Sequence, residues 1–467
     1  MLQIDKLSPK PYYIQIYDYF KHEIESGRMR AGTKLPSMRA LARYTGISKL
    51  TVEKAYFQLA NEGYIVGRCK ARFEAAALSV NKRERAVGQY IKAESGQPPW
   101  KYDFASGDVD LEGFPLILWR RYMHRVLSDP AILLAGQDEQ GAPALREALS
   151  GYMYETRGVH AAADNIVIGN GVTPLLRILG YILRNKHSRI AVEEPGFRLG
   201  REVFRSGGYE IVPLPLRDDG LDVDALAQAD TGLVYVTPSH QFPTGKVMPV
   251  GQRYKLLDWA VQEDGLIIED DYDSELRYEG RPIPALQGLD RSDRVIYLGA
   301  LSKVLPFFVR ISYLVLPDPL MDIYRRERSL FRQSASVPEQ CVLAEYIRSG
   351  EMRKQIRRLR RLYQEKGRKT EYLLQAYFGT AVEVSRVVSG VHCQIAFASP
   401  LSETELTEAA KREGCLVLPM ESFYEKHIDN GVRRFLLSFA RIRTDMLEEA
   451  VAALHRAWTA GGVRNNG

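Results

Sequence analysis

Six short apolar runs, each closing in polar or Gly/Pro text, punctuate the chain beyond about residue 102. They are "NIVIGNG", "RIAVEEPGF", "GLVYVTPSH", "GLIIEDDYDSEL", "RVIYLGALSK" and "RISYLVLP". Runs that are apolar throughout, rather than alternating, suit strands of a sheet buried on both faces, and helical text such as "TPLLRILGYIL" lies between them. Open α/β sheets of this kind gather ligands at the carboxyl ends of their strands. The chemistry-bearing residues stand there. Glu269, Asp270, Asp271 and Tyr272 close "LIIE". Ser302 and Lys303 follow "VIYLG", with Arg310 seven residues on. Asn170, Gly171, Val172 and Thr173 end "VIG" and open a helix. A lysine at the end of a buried strand is costly unless something holds it or reacts with it.

The first 75 residues read differently. The chain carries 64 Lys and Arg against 58 Asp and Glu, and residues 1–80 hold 13 against 7, so residues 81–467 hold 51 of each. All of the excess positive charge therefore sits in the first sixth, which suits a polyanion partner for a small N-terminal domain. Ile14, Tyr17, Phe20 and Ile24 have helical spacing, and Gly27 is a stop. Two short helices follow in "KLPSMRALARYTGISKLTVEKAYFQLANEGYI". Ser37 caps the first, and Gly46 lies in the turn. Ser48 caps the second, whose buried stripe is Val52, Ala55, Tyr56 and Leu59. Its first turn then exposes Lys49, Leu50, Thr51 and Lys54, the layout of a helix-turn-helix whose second helix enters the major groove. Leu50 either meets a thymine methyl or packs inward. "GYIVGRCKARFEA" is a wing of two strands carrying Arg68, Lys70 and Arg72. Residues 76–101 are polar, with Gly96, Pro98 and Pro99 near the end, and read as a linker between a 1–75 DNA-binding domain and a 102–467 unit.

A lysine, an aspartate, a tyrosine, an arginine and a helix N-terminus at strand ends form the set that pyridoxal 5'-phosphate requires. Its aldehyde takes a lysine, its ring nitrogen a carboxylate, its ring hydroxyl a donor, and its phosphate backbone N–H groups and an arginine.

Two resemblances sharpen this reading. "KLPSMRALARYTGISKLTVEKAYFQLANEGYI" resembles the winged helix of the GntR family, which implies DNA contacts at Arg39, Ser48, Lys49, Thr51 and Lys54, with Arg68 and Lys70 on the wing. "GAPALREAL", "GNGVTPLL", "EEPGF", "VTPSHQFPTGKVMP", "IIEDDYDSEL", "LSK" and "RISYLVLP", in that order, resemble fold-type I aminotransferases over roughly residues 102–460. The pair is the MocR/GabR arrangement: a winged helix-turn-helix joined to an α/β pyridoxal-phosphate domain. The resemblance implies an internal aldimine at Lys303. Asp270 would meet the ring nitrogen and Tyr272 the ring oxygen, with Phe197 stacked on the ring. Gly171, Val172, Ser302 and Arg310 would hold the phosphate.

The chain departs from the aminotransferase pattern in ways that favour sensing over turnover. Phe242 stands where Asn is usual before Pro-Thr-Gly, and Ala300 where a hydroxyl residue usually precedes the lysine. Pro306-Phe307-Phe308 replaces the common Pro-Gly. In "RFLLSFARI" the position that aligns with the carboxylate-gripping arginine holds Leu436, leaving Arg434 and Arg441 as nearby effector contacts. The implied protein is a transcriptional regulator that binds double-stranded DNA and senses a small amino compound through Lys303. It pairs as a homodimer, head to tail. The alternative is a working aminotransferase with an accessory DNA-binding domain. No apolar run approaches the roughly 18 residues of a membrane span, and no signal-peptide layout opens the chain. Cys69, Cys341, Cys393 and Cys415 lack metal or redox spacing, so a cytoplasmic setting is expected.

Overall fold

The computed structural model describes residues 2–6, 8–67, 72–77, 100–110, 114–134, 138–280, 283–426 and 431–459. Most of the expected 76–101 linker, together with Arg68, Cys69 and Lys70 of the wing, lies outside the described residues. The chain divides into two compact units, Met1–Gly96 and Gln97–Gly467.

The first unit is three helices and a hairpin. Helices α1 (Tyr12–Glu25), α2 (Met38–Thr45) and α3 (Lys49–Asn61) precede strands β1 (Ile65–Val66) and β2 (Glu74–Ala75), paired antiparallel. Ile16, Tyr17, Phe20 and Ile24 of α1 pack with Leu41, Val52, Ala55, Tyr56 and Leu59 in one core. The expected stripe of α1 needs one correction. Ile16 is fully buried, while Ile14 stays half-buried, because adjacent Ile16 and Tyr17 straddle the buried line. Both caps form. Ser37 Oγ accepts the Ala40 N–H at 3.1 Å, and Gly46 ends α2 at φ 69°, which its lack of a side chain permits.

The second unit is built on an eight-stranded sheet. Its strands are β4 (Ile166–Asn170), β5 (Arg189–Glu194), β6 (Glu210–Arg217), β7 (Gly220–Leu221), β8 (Leu233–Val236), β9 (Leu266–Asp271), β10 (Val295–Ala300) and β11 (Ile311–Val315). A short β3 (Tyr102–Asp103) precedes them. The order is β4-β11-β10-β9-β8-β5-β6-β7. β10, β9, β8, β5 and β6 run parallel, while β11 is antiparallel to both its neighbours. All six residues of β9 and of β10 are buried, as expected for strands covered on both faces.

Alternation along β9 and its neighbours sorts the side chains. Leu266, Ile268, Leu298 and Tyr235 join the core that includes Leu175, Leu179 and Phe204, from helices α4 (Val172–Leu183) and α5 (Arg198–Ser206). Ile267, Val295, Val234 and Val236 join a second core with Leu256, Leu257 and Trp259 on the opposite face. With a period of two, Asp270 therefore belongs to the first face, and Glu269 and Asp271 to the second.

A smaller antiparallel sheet follows, ordered β12-β13-β16-β15: β12 (Glu383–Val384), β13 (His392–Ala398), β15 (Leu418–Pro419) and β16 (Val432–Ser438). Between them β14 (Cys415–Leu416) pairs in parallel with β3, so the start of the second unit is laced into its C-terminal part. The lacing is completed by a buried ion pair. Lys366, fully buried on helix α6 (Glu351–Phe378), donates to Asp110 Oδ2 at 2.5 Å and to the Ala440 carbonyl at 3.0 Å. The Asp110 N–H donates to the Tyr363 hydroxyl at 2.9 Å. Removing one partner of such a pair leaves the other buried and bare, so Asp110→Ala should cost the second unit about 3–5 kcal/mol. Denaturant unfolding followed by near-UV circular dichroism reads this, and a change below about 1 kcal/mol would contradict it.

Candidate cofactor site and DNA-binding helix

Lys303 stands just past β10, and its Nζ donates to the Gly107 carbonyl at 2.9 Å. Gly107 leaves room for nothing else. A Cβ there would lie 2.2 Å from Lys303 Nζ and 3.2 Å from His392 Nε2. Burial pushes the Lys303 amine below its ordinary value, while Asp273 and Asp108 pull it back up. Burial also pushes the His392 imidazole far down, helped by the charge of Lys303. Burial thus favours the neutral amine, the form in which a lysine is a nucleophile, against the pull of the two aspartates.

The two aspartates at the end of β9 have opposite fates. Asp271 Oδ2 accepts from Arg157 Nε at 2.7 Å and from the Tyr297 hydroxyl at 2.6 Å. Burial raises its pKa, but Arg157 and these hydrogen bonds more than offset that and hold it below the ordinary value. Asp270 accepts at Oδ2 from the Tyr235 hydroxyl, while its Oδ1 is buried with no hydrogen-bond partner. Burial pushes the Asp270 carboxyl up to about 7. A buried carboxylate oxygen without a donor is an uncompensated cost. A protonated ring nitrogen would remove it, so the donor set fits pyridoxal phosphate.

Tyr272 follows on the same turn. Its hydroxyl lies 3.1 Å from His240 Nδ1, which is also 2.8 Å from Asp273 Oδ2. Phe197, at the start of α5, stacks at 20° over Tyr235, the tyrosine that holds Asp270. Gly171 opens α4 at φ 81°. Its own N–H is taken by the Gly169 carbonyl at 3.0 Å, so the free donors are those of the first helical turn, from Val172 on. A Cβ on Gly171 would lie 3.5 Å from an Arg310 guanidinium nitrogen. Arg310 is exposed and pairs with no carboxylate among the described residues. The helix N-terminus and the arginine thus converge on one point, as an anion site demands. Ser302 is exposed beside Lys303. Arg441 pairs with Asp103 and Asp108 (3.4 and 3.6 Å) and so braces the segment carrying Gly107. Arg434 lies two residues before Leu436 on β16, with its N–H on Glu403 at 2.8 Å.

Sequence reasoning missed Gly107, Tyr235, His240 and His392. It also missed Glu193, which accepts from Thr237 Oγ1 at 2.5 Å and Gln241 Nε2 at 3.1 Å and sits at about 7 through burial. Thr237 in turn accepts the Phe242 N–H at 3.0 Å, so this buried network sets the loop bearing Phe242. "Glu-Glu-Pro" offered a signal for Glu193, since an acid inside an apolar strand needs partners. Nothing local marks Gly107.

In the first unit, α3 begins as expected. Ser48 Oγ accepts the Thr51 N–H at 3.2 Å and lies 2.7 Å from Thr51 Oγ1. Leu50 is 76% exposed, which decides against inward packing. Lys49 and Arg39 are also exposed. The Lys54 ammonium sits 4.0 Å from the Tyr13 ring centroid, a cation–π contact.

Comparison with known proteins agrees with both units. Residues 12–72 match the bacterial regulatory proteins of the gntR family, and residues 101–454 match the aminotransferase class I and II family. The chain is 37% identical over 453 residues to the uncharacterized HTH-type transcriptional regulator YdeL of Bacillus subtilis, covering 96% of this chain and 97% of the relative. It is 31% identical to the probable rhizopine catabolism regulatory protein MocR of Rhizobium meliloti, covering 98% and 96%. A solved alpha-aminoadipate aminotransferase from Thermus thermophilus, complexed with N-(5'-phosphopyridoxyl)-L-leucine, superimposes with a TM-score of 0.69. That match has 25% identity and covers 78% of this chain and 92% of the other. The chain belongs to the MocR-type transcriptional regulators, in which a gntR-family DNA-binding domain is fused to a class I and II aminotransferase domain.

The raised Asp270 pKa has a readable sign. A carboxyl near 7 in the fold and 3.8 in the free residue takes up protons on folding between those values. Its share of stability is therefore lost as pH rises through that window. Asp270→Asn removes this loss. Without cofactor, its melting temperature should gain on the parent's as pH rises from 4 to 7, while it binds pyridoxal phosphate more weakly. Parallel melting curves over that pH range would contradict the assignment.

Proposed function

We propose that this chain is a pyridoxal-phosphate-dependent transcriptional regulator that binds DNA through α3 and senses a small amino compound at Lys303. The observation that carries the reading is the buried, unpartnered Oδ1 of Asp270 at the same strand-end layer as Lys303. When bound, pyridoxal phosphate supplies an aldehyde that condenses reversibly with primary amines and a ring that withdraws electrons. The Lys303 amine is the group to hold it covalently. Asp270 keeps a proton on the ring nitrogen, and Tyr272 with His240 faces the ring oxygen. Phe197 flanks the ring. Arg310, Ser302 and the first turn of α4 from Gly171 and Val172 take the phosphate. Lys303 would be the amine that an effector amine has to displace, and the Gly107 carbonyl is the acceptor that holds the lysine when it is free.

Sensing without turnover is supported by Phe242 and Ala300, which put apolar groups where catalytic relatives carry polar ones. A homodimer, head to tail, would present two copies of α3 to two half-sites. A DNA-binding role and the absence of any described helix long and apolar enough to cross a membrane support placement in the cytoplasm.

The two units should fail separately. Operator duplexes selected from random DNA should bind the full chain in a salt-dependent manner. Lys49→Ala and Leu50→Ala should each weaken that binding by about 1 kcal/mol or more and leave the cofactor's visible band unchanged. Lys303→Ala should bind the operator, lack the covalent band, and lose the transcriptional response to amines. A Lys303→Ala protein with the full response would overturn the covalent sensor. Fast multiple turnover by the parent would favour the aminotransferase alternative.

A further inference from the structure

Two residues far apart in the sequence meet beside Lys303. Phe242, on the loop after β8, packs with Leu436 of β16, and Met420, Phe423 and Leu418 complete the cluster. Phe242 is half-buried at its edge. Its ring makes edge contacts with Phe197 (6.2 Å between centroids), Tyr272 (5.5 Å), His392 (6.0 Å) and Phe423 (5.1 Å). His392 and Leu436 lie on one face of the small sheet, because β13 and β16 pair His392 with Ser438 and Gln394 with Leu436. Phe242 thus links His392, at the Lys303 amine, to the Leu436 cluster, with Gln394 and Ser438 the polar residues on that face.

The fields that act on the Lys303 amine come from carboxylates, of which Asp108 is shared with Arg441 at 3.6 Å and Asp273 with His240 at 2.8 Å. Three arginines of this region pair with carboxylates, while Arg277, beside His240 and Asp273, has a buried Nε with no hydrogen-bond partner among the described residues. Arg441 pairs with Asp103 and Asp108, Arg201 with Glu194 and Glu425, and Arg157 with Asp271. Arg434 is also engaged. A ligand carboxylate directed at Leu436 would be desolvated against Met420 and Phe423 with acids nearby. An ammonium is drawn in by those same acids, and an apolar body is received by the Phe242–Leu436 cluster.

We infer that the effector is a primary amine with an aromatic or branched apolar body and no carboxylate on its amine-bearing carbon, and that Phe242 and Leu436 together set this choice. The inference rests on the proposed pyridoxal-phosphate reading and deepens it. Matched pairs test it in the full-length protein with pyridoxal phosphate added: 2-phenylethylamine against L-phenylalanine, and 3-methylbutylamine against L-leucine. The readout is the concentration that half-saturates the change in the visible spectrum. In both pairs the amine should half-saturate at a concentration at least about tenfold lower than the amino acid, the scale set by an uncompensated buried charge. Leu436→Arg should narrow or reverse the difference. An amino acid that matches its amine in either pair overturns the inference, as does a protein whose band is present and answers to none of the four. If no band forms with the cofactor, the pyridoxal-phosphate reading itself falls, and the inference with it.

Discussion

A strand covered on both faces has no solvent to offer an acid at its end. β9 carries three, Glu269, Asp270 and Asp271, and each must find a partner or remain a cost. The alternation of the strand decides who partners whom. Glu269 receives the N–H groups of Leu286 and Gln287 at 2.7 and 2.8 Å. Asp271, on the same face, receives Arg157. Asp270 alone faces the other way, where Tyr235 satisfies one oxygen and nothing satisfies the second. The site is organised around that unmet acceptor. The lysine just past the adjacent parallel strand, the stacked aromatic pair and the open helix N-terminus with its arginine surround the same strand-end layer.

The segment from Tyr102 to Asp110 ties this layer to the rest of the second unit. It is held at one end by pairing with β14 and at the other by Lys366, and between them its Gly107 carbonyl takes the free lysine. It is also the first described part of the second unit after the 78–99 stretch that follows the DNA-binding unit. A population of two arrangements is biased only when the ligand interacts differently with each, and the Lys303–Gly107 hydrogen bond is a contact made by the free amine.

Much of the fold was legible because parallel strands buried on both faces announce themselves as unbroken apolar runs, and the polar residue after each run marks the carboxyl edge. Lys303, Asp270, Tyr272, Gly171 and Arg310 were singled out in this way, and the structure sets them at the ends of these strands. The caps of α2 and α3 were legible from Ser37, Gly46 and Ser48, since capping is a local property. What escaped was non-local or symmetric in sequence. Gly107 has no signature, because its role is to be empty beside an amine 196 residues away. Ile14 and Ile16 fit helical spacing nearly as well as each other, and only the packing of α1 on α3 separates them. Phe242 and Leu436 each read as a separate departure from a family pattern. The structure alone joins them into one cluster.

The central claim is that Lys303, placed by β10 and served by Asp270, is the group that holds the cofactor. Borohydride reduction of the full-length protein after incubation with pyridoxal phosphate, followed by peptide mass spectrometry, tests it most directly. The account predicts one phosphopyridoxyl group per chain, on the peptide containing Lys303, in the parent protein. Label spread over surface lysines, or concentrated on any lysine other than Lys303, would contradict it.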